Sequence, residues 1–155
     1  MSTSKTPGAS RTTMTEYVLP THANALGNVF GGQILAWMDI CAAICAQRHA
    51  GSVAVTAGID DLAFERPIKL GQVVKLEARV TATFRSSLEI EVRVDGEDAT
   101  TGDTWPCVTA FMTFVALDRD GRRAEVPPLV CATEEERGRQ RAAGERRERR
   151  LARRR

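Results

Sequence analysis

Between Gly31 and Gly51 the chain reads GGQILAWMDICAAICAQRHAG, and no other segment restricts the fold so strongly. The stretch is rich in Ala, Leu, Met and Gln, which favour helix, and it stops at a glycine, the residue that most readily closes a helix. A helix of about five turns is predicted. Ile34, Leu35, Trp37, Met38, Ile40, Ala42, Ala43 and Ile44 occupy its whole circumference. A helix that is apolar all round lies inside a protein, so other elements must wrap it.

Strands are available to do so. Met14 to Leu19 is a short β-prone run closed by Pro20, and Ser52 to Phe64 is a second, stopped near Pro67 and Gly71. From Gly71 to Thr83, Val74, Leu76, Ala78, Val80 and Ala82 alternate with polar residues, and Leu88 to Asp95 repeats the pattern with Leu88, Ile90, Val92 and Val94. Arg85-Ser86-Ser87 is short enough to be the hairpin between them. The polar stretch Gly96 to Asp103 then leads to a last strand, Trp105 to Leu117, ended by the turn residues Asp118 to Gly121. The order is strand, long helix, four strands. One helix cannot be covered by a single short strand, so the expected fold is α+β, a single five-stranded antiparallel sheet curved around the helix.

At 155 residues the chain suits one domain. Residues 1–12 are rich in Ser and Thr and read as a disordered leader, 13–126 as the domain, and 127–155 as a basic C-terminal tail, partly helical, with Gly138 and Gly144 interrupting it. Ten Arg stand against five Glu from Thr133 onward, which leaves residues 1–132 with twelve basic and fifteen acidic side chains. Aromatic residues make up only 5%, so no stacking platform accompanies the basic tail, which speaks against nucleic acid as a partner. Cys41, Cys45, Cys107 and Cys131 form no CxxC pair, and His22 and His49 are not spaced with them as metal ligands would be. No metal site is expected. Reduced cysteines and the absence of a long apolar run point to a cytoplasmic protein without a membrane span.

The segment NALGNVFGGQILAWMD, Asn24 to Asp39, closely resembles the acyl-CoA thioesterases of the hotdog fold, and the likeness continues through RHAGSVAVTAGIDDLAFERPIKLGQVV and TFRSSLEIEV. It covers about Met14 to Leu117. RRERRL in the tail is also similar to the end of some members. The resemblance implies hydrolysis of acyl-CoA with no cofactor, coenzyme A being part of the substrate, and a homo-oligomer assembled as a trimer of dimers.

Asp39 is the only charged residue between Gly31 and Gln47. A carboxylate amid apolar side chains needs a partner or a function, and in a partly desolvated site it can take a proton from water or attack a carbonyl itself. Gly31 and Gly32 open the helix, where free N–H groups and the positive end of the dipole can hold an oxyanion. The resemblance makes Asp39 the catalytic carboxylate and Asn24 a catalytic amide. Arg85, Ser86, Ser87 and Leu88, at a strand-to-strand turn, are candidates to hold the coenzyme's amides and phosphates. By likeness alone, Ala57, Gly58 and Ile59 extend that groove, and one of Arg146, Arg147 and Arg150, with Arg147 the first candidate, reaches a phosphate, on a neighbouring subunit.

Two rivals are open at this stage: a hotdog protein that binds acyl-CoA without turning it over, and nucleic-acid binding through the tail. Eight residues separate Gly31 from Asp39, about 12 Å along a helix, too far for both to serve one carbonyl. A dimer with shared active sites removes the difficulty, the helix start of one chain facing Asp39 of the other.

Overall fold

The computed structural model describes residues 3–154. A short helix α1 (Pro7–Ser10) precedes strand β1 (Thr12–Tyr17), a 3-10 turn (Pro20–His22) and the long helix α2 (Gly31–Ala50). Four strands follow, β2 (Val53–Phe64), β3 (Val73–Thr83), β4 (Ser87–Glu97) and β5 (Thr104–Leu117), and then helix α3 (Glu134–Arg153). The strands form one antiparallel sheet in the order β1-β3-β4-β5-β2. A five-stranded antiparallel sheet curved about one long helix is the hotdog fold that the sequence leads one to expect.

Gly51 closes α2 in the left-handed conformation at φ 70°, its N–H donating to the Gln47 carbonyl. Ile34, Trp37, Met38, Cys41, Ala42, Cys45, Ala46 and His49 are buried, at the i, i+3, i+4, i+7 spacing of a single helical face. They meet the inward side chains of the sheet, among which Leu88, Ile90, Val92 and Phe114 are fully buried. Each large apolar side chain contributes about 1.5–3 kcal/mol by leaving water. The expectation that α2 is enclosed all round fails within one chain. Ala36, Asp39 and Ile40 are exposed, because the sheet curves past only one side of the helix.

The outer face of the sheet carries α3. Thr133 caps that helix, accepting from the Glu136 N–H while Glu136 accepts from the Thr133 N–H. Gly138 and Gly144 do not interrupt it. The leader expected to be disordered is ordered where it is described. Lys5 pairs with Leu129 and gives its ammonium to the Arg48 carbonyl, Pro7 and Ser10 are buried, and Thr12 begins β1. Composition could not show this, since the leader is held by residues far along the chain. Residues 1 and 2 of the leader, and residue 155 of the tail, lie outside the described residues. Among the described residues no helix is long and apolar enough to cross a membrane.

Candidate active site

Asp39 projects from the open side of α2 toward β2, where the Thr56 hydroxyl donates to its Oδ1 at 2.5 Å. Both residues are exposed in the single chain, so the carboxylate is not the buried group that its apolar neighbours in sequence imply. One oxygen is held and the other has no partner among the described residues. Thr56 was not singled out by sequence, for a threonine in a strand has many ordinary uses.

Asn24 and Gly31 lie together at the N-terminal end of α2, on a cavity of about 260 Å³ that Glu65, Arg66 and Phe64 also line. The Asn24 side-chain oxygen accepts the N–H groups of Leu26 (2.9 Å) and Asn28 (3.1 Å), as an asparagine closing its own turn does. That fixes the amide and leaves its NH2 as donor. Phe30 offers α2 no side-chain cap, and the first helical N–H with an acceptor is that of Gln33, on the Phe30 carbonyl at 3.0 Å. The N–H groups of Gly31 and Gly32 have no acceptor among the described residues. A Cβ on Gly31 would sit 3.5 Å from the Phe64 ring, and one on Gly32 would meet nothing.

The loop below this cavity is held by Trp105, whose indole N–H donates to the Pro67 carbonyl at 3.2 Å and whose ring lies under the Arg66 guanidinium. A Cβ on Gly96 would stand 2.4 Å from that indole, so only glycine fits there. Asp39 lines neither this cavity nor the groove described next. One chain does not bring the helix start and the carboxylate together.

A second cavity of about 400 Å³ gathers most of the residues expected to hold the coenzyme: Ala57, Arg85, Ser86, Ser87 and Arg147, with Phe84, Arg123, Arg150 and Arg154. Arg85-Ser86 is the β3–β4 hairpin, as expected. Ala57 sits at a register break between Thr56 and Gly58, out of step with its partner strand. Gly58 and Ile59 adjoin it on β2, the sheet edge with no partner on its outer side. Leu88 is a correction. Its side chain is fully buried opposite Phe114 and cannot touch a ligand, because the inward alternation of β4 begins with it.

The tail arginines divide. Arg147 lies over the Phe84 ring at 4.0 Å, facing the groove. Arg146 instead makes a two-pronged ion pair with Glu89, at 3.0 and 2.8 Å, beneath the helix. Arg150 donates to Asp60 at 2.5 Å. Farther up α3, Arg137 and Arg141 pair with Glu134, and Arg139 with Glu135. The helix is therefore not a free polycation for phosphate backbones, against the nucleic-acid reading. His22 accepts the Leu19 N–H through Nδ1, within the turn that precedes α2. His49 is buried against the Pro127 carbonyl, and burial lowers its pKa. Burial likewise pushes the Cys41 thiol up to about 11 and that of Cys45 to about 12, so neither is a nucleophile. No group of three His, Cys, Asp or Glu among the described residues is placed to hold a metal.

Comparison with known proteins agrees with this fold. Residues 26–102 match the thioesterase superfamily. An uncharacterized acyl-CoA thioester hydrolase of Bacillus subtilis is 39% identical over 127 residues, 82% of this chain and 74% of that protein. This chain belongs to the acyl-CoA thioesterase family. The acetyl-coenzyme A thioesterase of Rattus norvegicus is 38% identical over 138 residues, 89% of this chain, and the chain spans 25% of that relative's length. Among solved structures, a hexameric acyl-CoA thioesterase superposes with a TM-score of 0.93 at 40% identity, covering 97% of each chain. The acyl-CoA hydrolase of Staphylococcus aureus, solved with butyryl coenzyme A and coenzyme A, gives 0.89 at 34% identity, covering 97% of this chain and 92% of that one. Variants of the S. aureus protein replace an asparagine, an aspartate and a threonine by alanine, at positions 15 and then 17 residues apart. Asn24, Asp39 and Thr56 have the same separations.

Proposed function

We propose that this chain hydrolyses acyl-CoA to a free acid and coenzyme A, in the cytoplasm, at active sites shared between two copies of itself. The observation that carries the reading is the Asp39–Thr56 pair, open to solvent on an otherwise apolar helix face, at the spacing of the residues replaced in the S. aureus hydrolase.

Thr56 fixes one Asp39 oxygen and the other takes a proton from water, which adds to the thioester carbonyl carbon. The oxyanion so formed is held by the Gly31 and Gly32 N–H groups of the second chain, at the positive end of its α2, with the Asn24 amide as a further donor. The C–S bond then breaks, and the leaving thiolate recovers the proton from Asp39. Water and thioester have become acid and thiol.

Two exposed surfaces support the dimer. The unpaired edge of β2 carries Val53, Val55, Ile59, Leu62 and Phe64, and α2 adds Ile40, all exposed. Pairing two copies about a two-fold axis would cover them and set each Asp39 against the other chain's helix start. The hexameric relative is consistent with three such dimers. The groove of Arg85, Ser86, Ser87 and Arg147 receives the coenzyme phosphates, and pantetheine runs from there past Ala57 and Gly58, beside the edge that the second chain covers.

A thiol-release assay over acyl-CoAs of increasing chain length, with Asp39→Asn as control, tests the reading. Turnover of one or more that is lost in the variant is expected. Binding of acyl-CoA with no turnover of any would instead make the chain a binding protein.

A further inference from the structure

Glu89 is an acid placed under a sheet-covering helix, only 1% exposed, and its surroundings are built for it. Arg146 donates to both its oxygens, the Thr81 hydroxyl donates to Oε1 at 2.6 Å, and the Arg146 guanidinium lies 3.5 Å from the centre of the Phe111 ring. A buried ion pair gains little net stability over apolar packing of the same volume, so its presence calls for a reason other than stability. What it does supply is direction. A guanidinium held by two parallel bonds and a ring fixes both the azimuth and the height of the helix that carries it.

The neighbouring helical positions show what that orientation serves. Arg147, Arg150, Leu151 and Arg154 follow the i, i+3, i+4, i+7 spacing of one helix face, and all four line the proposed coenzyme groove. Arg147 is the residue next to the anchored Arg146. A second fastening, Arg150 to Asp60, ties the far end of the same face to β2, three residues beyond Ala57 of that groove. Asp60 stands beside a register break in β2, and Asp61 within that break has φ 56°. Arg147 and Arg154 carry no ion pair among the described residues, so they stand free beside the fastened guanidinia of Arg146, Arg150 and Arg153, the last two both on Asp60.

We propose that Glu89, through Arg146, is a positioning residue for coenzyme recognition: it sets the rotation of α3 that presents Arg147 and Arg154 to the phosphates of acyl-CoA. The inference rests on the thioesterase reading above and adds residues that touch neither the thioester nor the coenzyme. Its substrate-side consequence is selective. The phosphates lose their guanidinia when α3 turns, while the acyl group and Asp39 are untouched.

The test compares Glu89→Gln with wild type on one acyl-CoA and on the matching acyl-pantetheine, which lacks the nucleotide phosphates. The expected result is a KM for acyl-CoA raised about tenfold, with kcat and the KM for acyl-pantetheine within about twofold of wild type, since a charge-assisted bond is worth about a factor of ten or more. Arg146→Lys, which keeps the charge but not the two-pronged geometry, should shift KM in the same direction. Arg141→Ala, on the exposed part of α3, should shift nothing. Should Glu89→Gln fail to fold, Asp60→Asn makes the same comparison through the second fastening. Equal effects on both substrates, or a lowered melting temperature with unchanged KM, would make the pair a structural tie and overturn the proposal. Wild-type protein that turns over neither substrate would instead remove the thioesterase reading beneath it.

Discussion

The Thr56 hydroxyl meets the Asp39 carboxylate at 2.5 Å, joining the third turn of α2 to the edge strand β2. That bond leaves the exposed carboxylate one oxygen with no partner among the described residues. Asp39→Asn removes the proton acceptor and should lower kcat by a factor of about 10² or more with little change in coenzyme affinity. Thr56→Val keeps the shape but frees the carboxylate, and should lower kcat by about tenfold, again at nearly constant KM. Steady-state kinetics on one acyl-CoA checks both. A Thr56→Val enzyme altered in KM alone would move Thr56 from the reacting centre to substrate binding.

Arg85 and Arg147 line the same groove from opposite sides, one on the β3–β4 hairpin and one on α3. Arg85→Ala and Arg147→Ala should each raise KM for acyl-CoA by about tenfold and leave acyl-pantetheine hydrolysis unchanged. Added salt should narrow the difference, because exposed guanidinium–phosphate attraction is screened. Equal effects on the two substrates would take these residues out of the phosphate site.

Acid stability offers a check away from the site. Glu77, on the outer face of β3, is held down to about 2 from its usual 4.5 by hydrogen bonds from Arg11 and then Arg79. A carboxyl group whose folded pKa is depressed adds stability above its unfolded pKa and loses it as pH falls through the folded value. Glu77→Gln should therefore melt below wild type at pH 7, by a small margin since the pair is partly solvated, and the gap should close as pH falls from about 5 toward 2. Thermal melts at a series of pH values read this directly. A gap independent of pH would assign the loss to packing.

Much of the fold was legible because each strand of the meander faces α2 on one side only, which writes period-two alternation into Val74 to Ala82 and Leu88 to Val94. What was not legible depends on distance in sequence. Arg146 finds Glu89 57 positions away, and Arg150 finds Asp60 90 away. Local spacing in α3 shows only Glu and Arg able to pair with one another, so its docking is invisible there. The ordered leader is hidden for the same reason, its backbone partners being Pro128 and Leu129. Leu88 misled through position: at a hairpin in sequence it looks available, whereas β4 turns it inward. The site itself was half legible. Asp39, Gly31 and Asn24 stand out by type and place, but Thr56 acquires meaning only once β2 is laid beside α2.

The shared site is the claim on which the mechanism depends, for Gly31 and Asp39 are about 12 Å apart along one helix and neither cavity of the single chain joins them. Mixing two inactive variants, Asn24→Ala and Asp39→Ala, under conditions where subunits exchange, tests it most directly. Random reassortment makes about half the dimers mixed, and each mixed dimer has one site with both residues intact. Thiol release from acyl-CoA should recover to about a quarter of the wild-type rate. If exchange is demonstrated and activity stays at the level of the separate variants, each site lies within one chain and the account is contradicted.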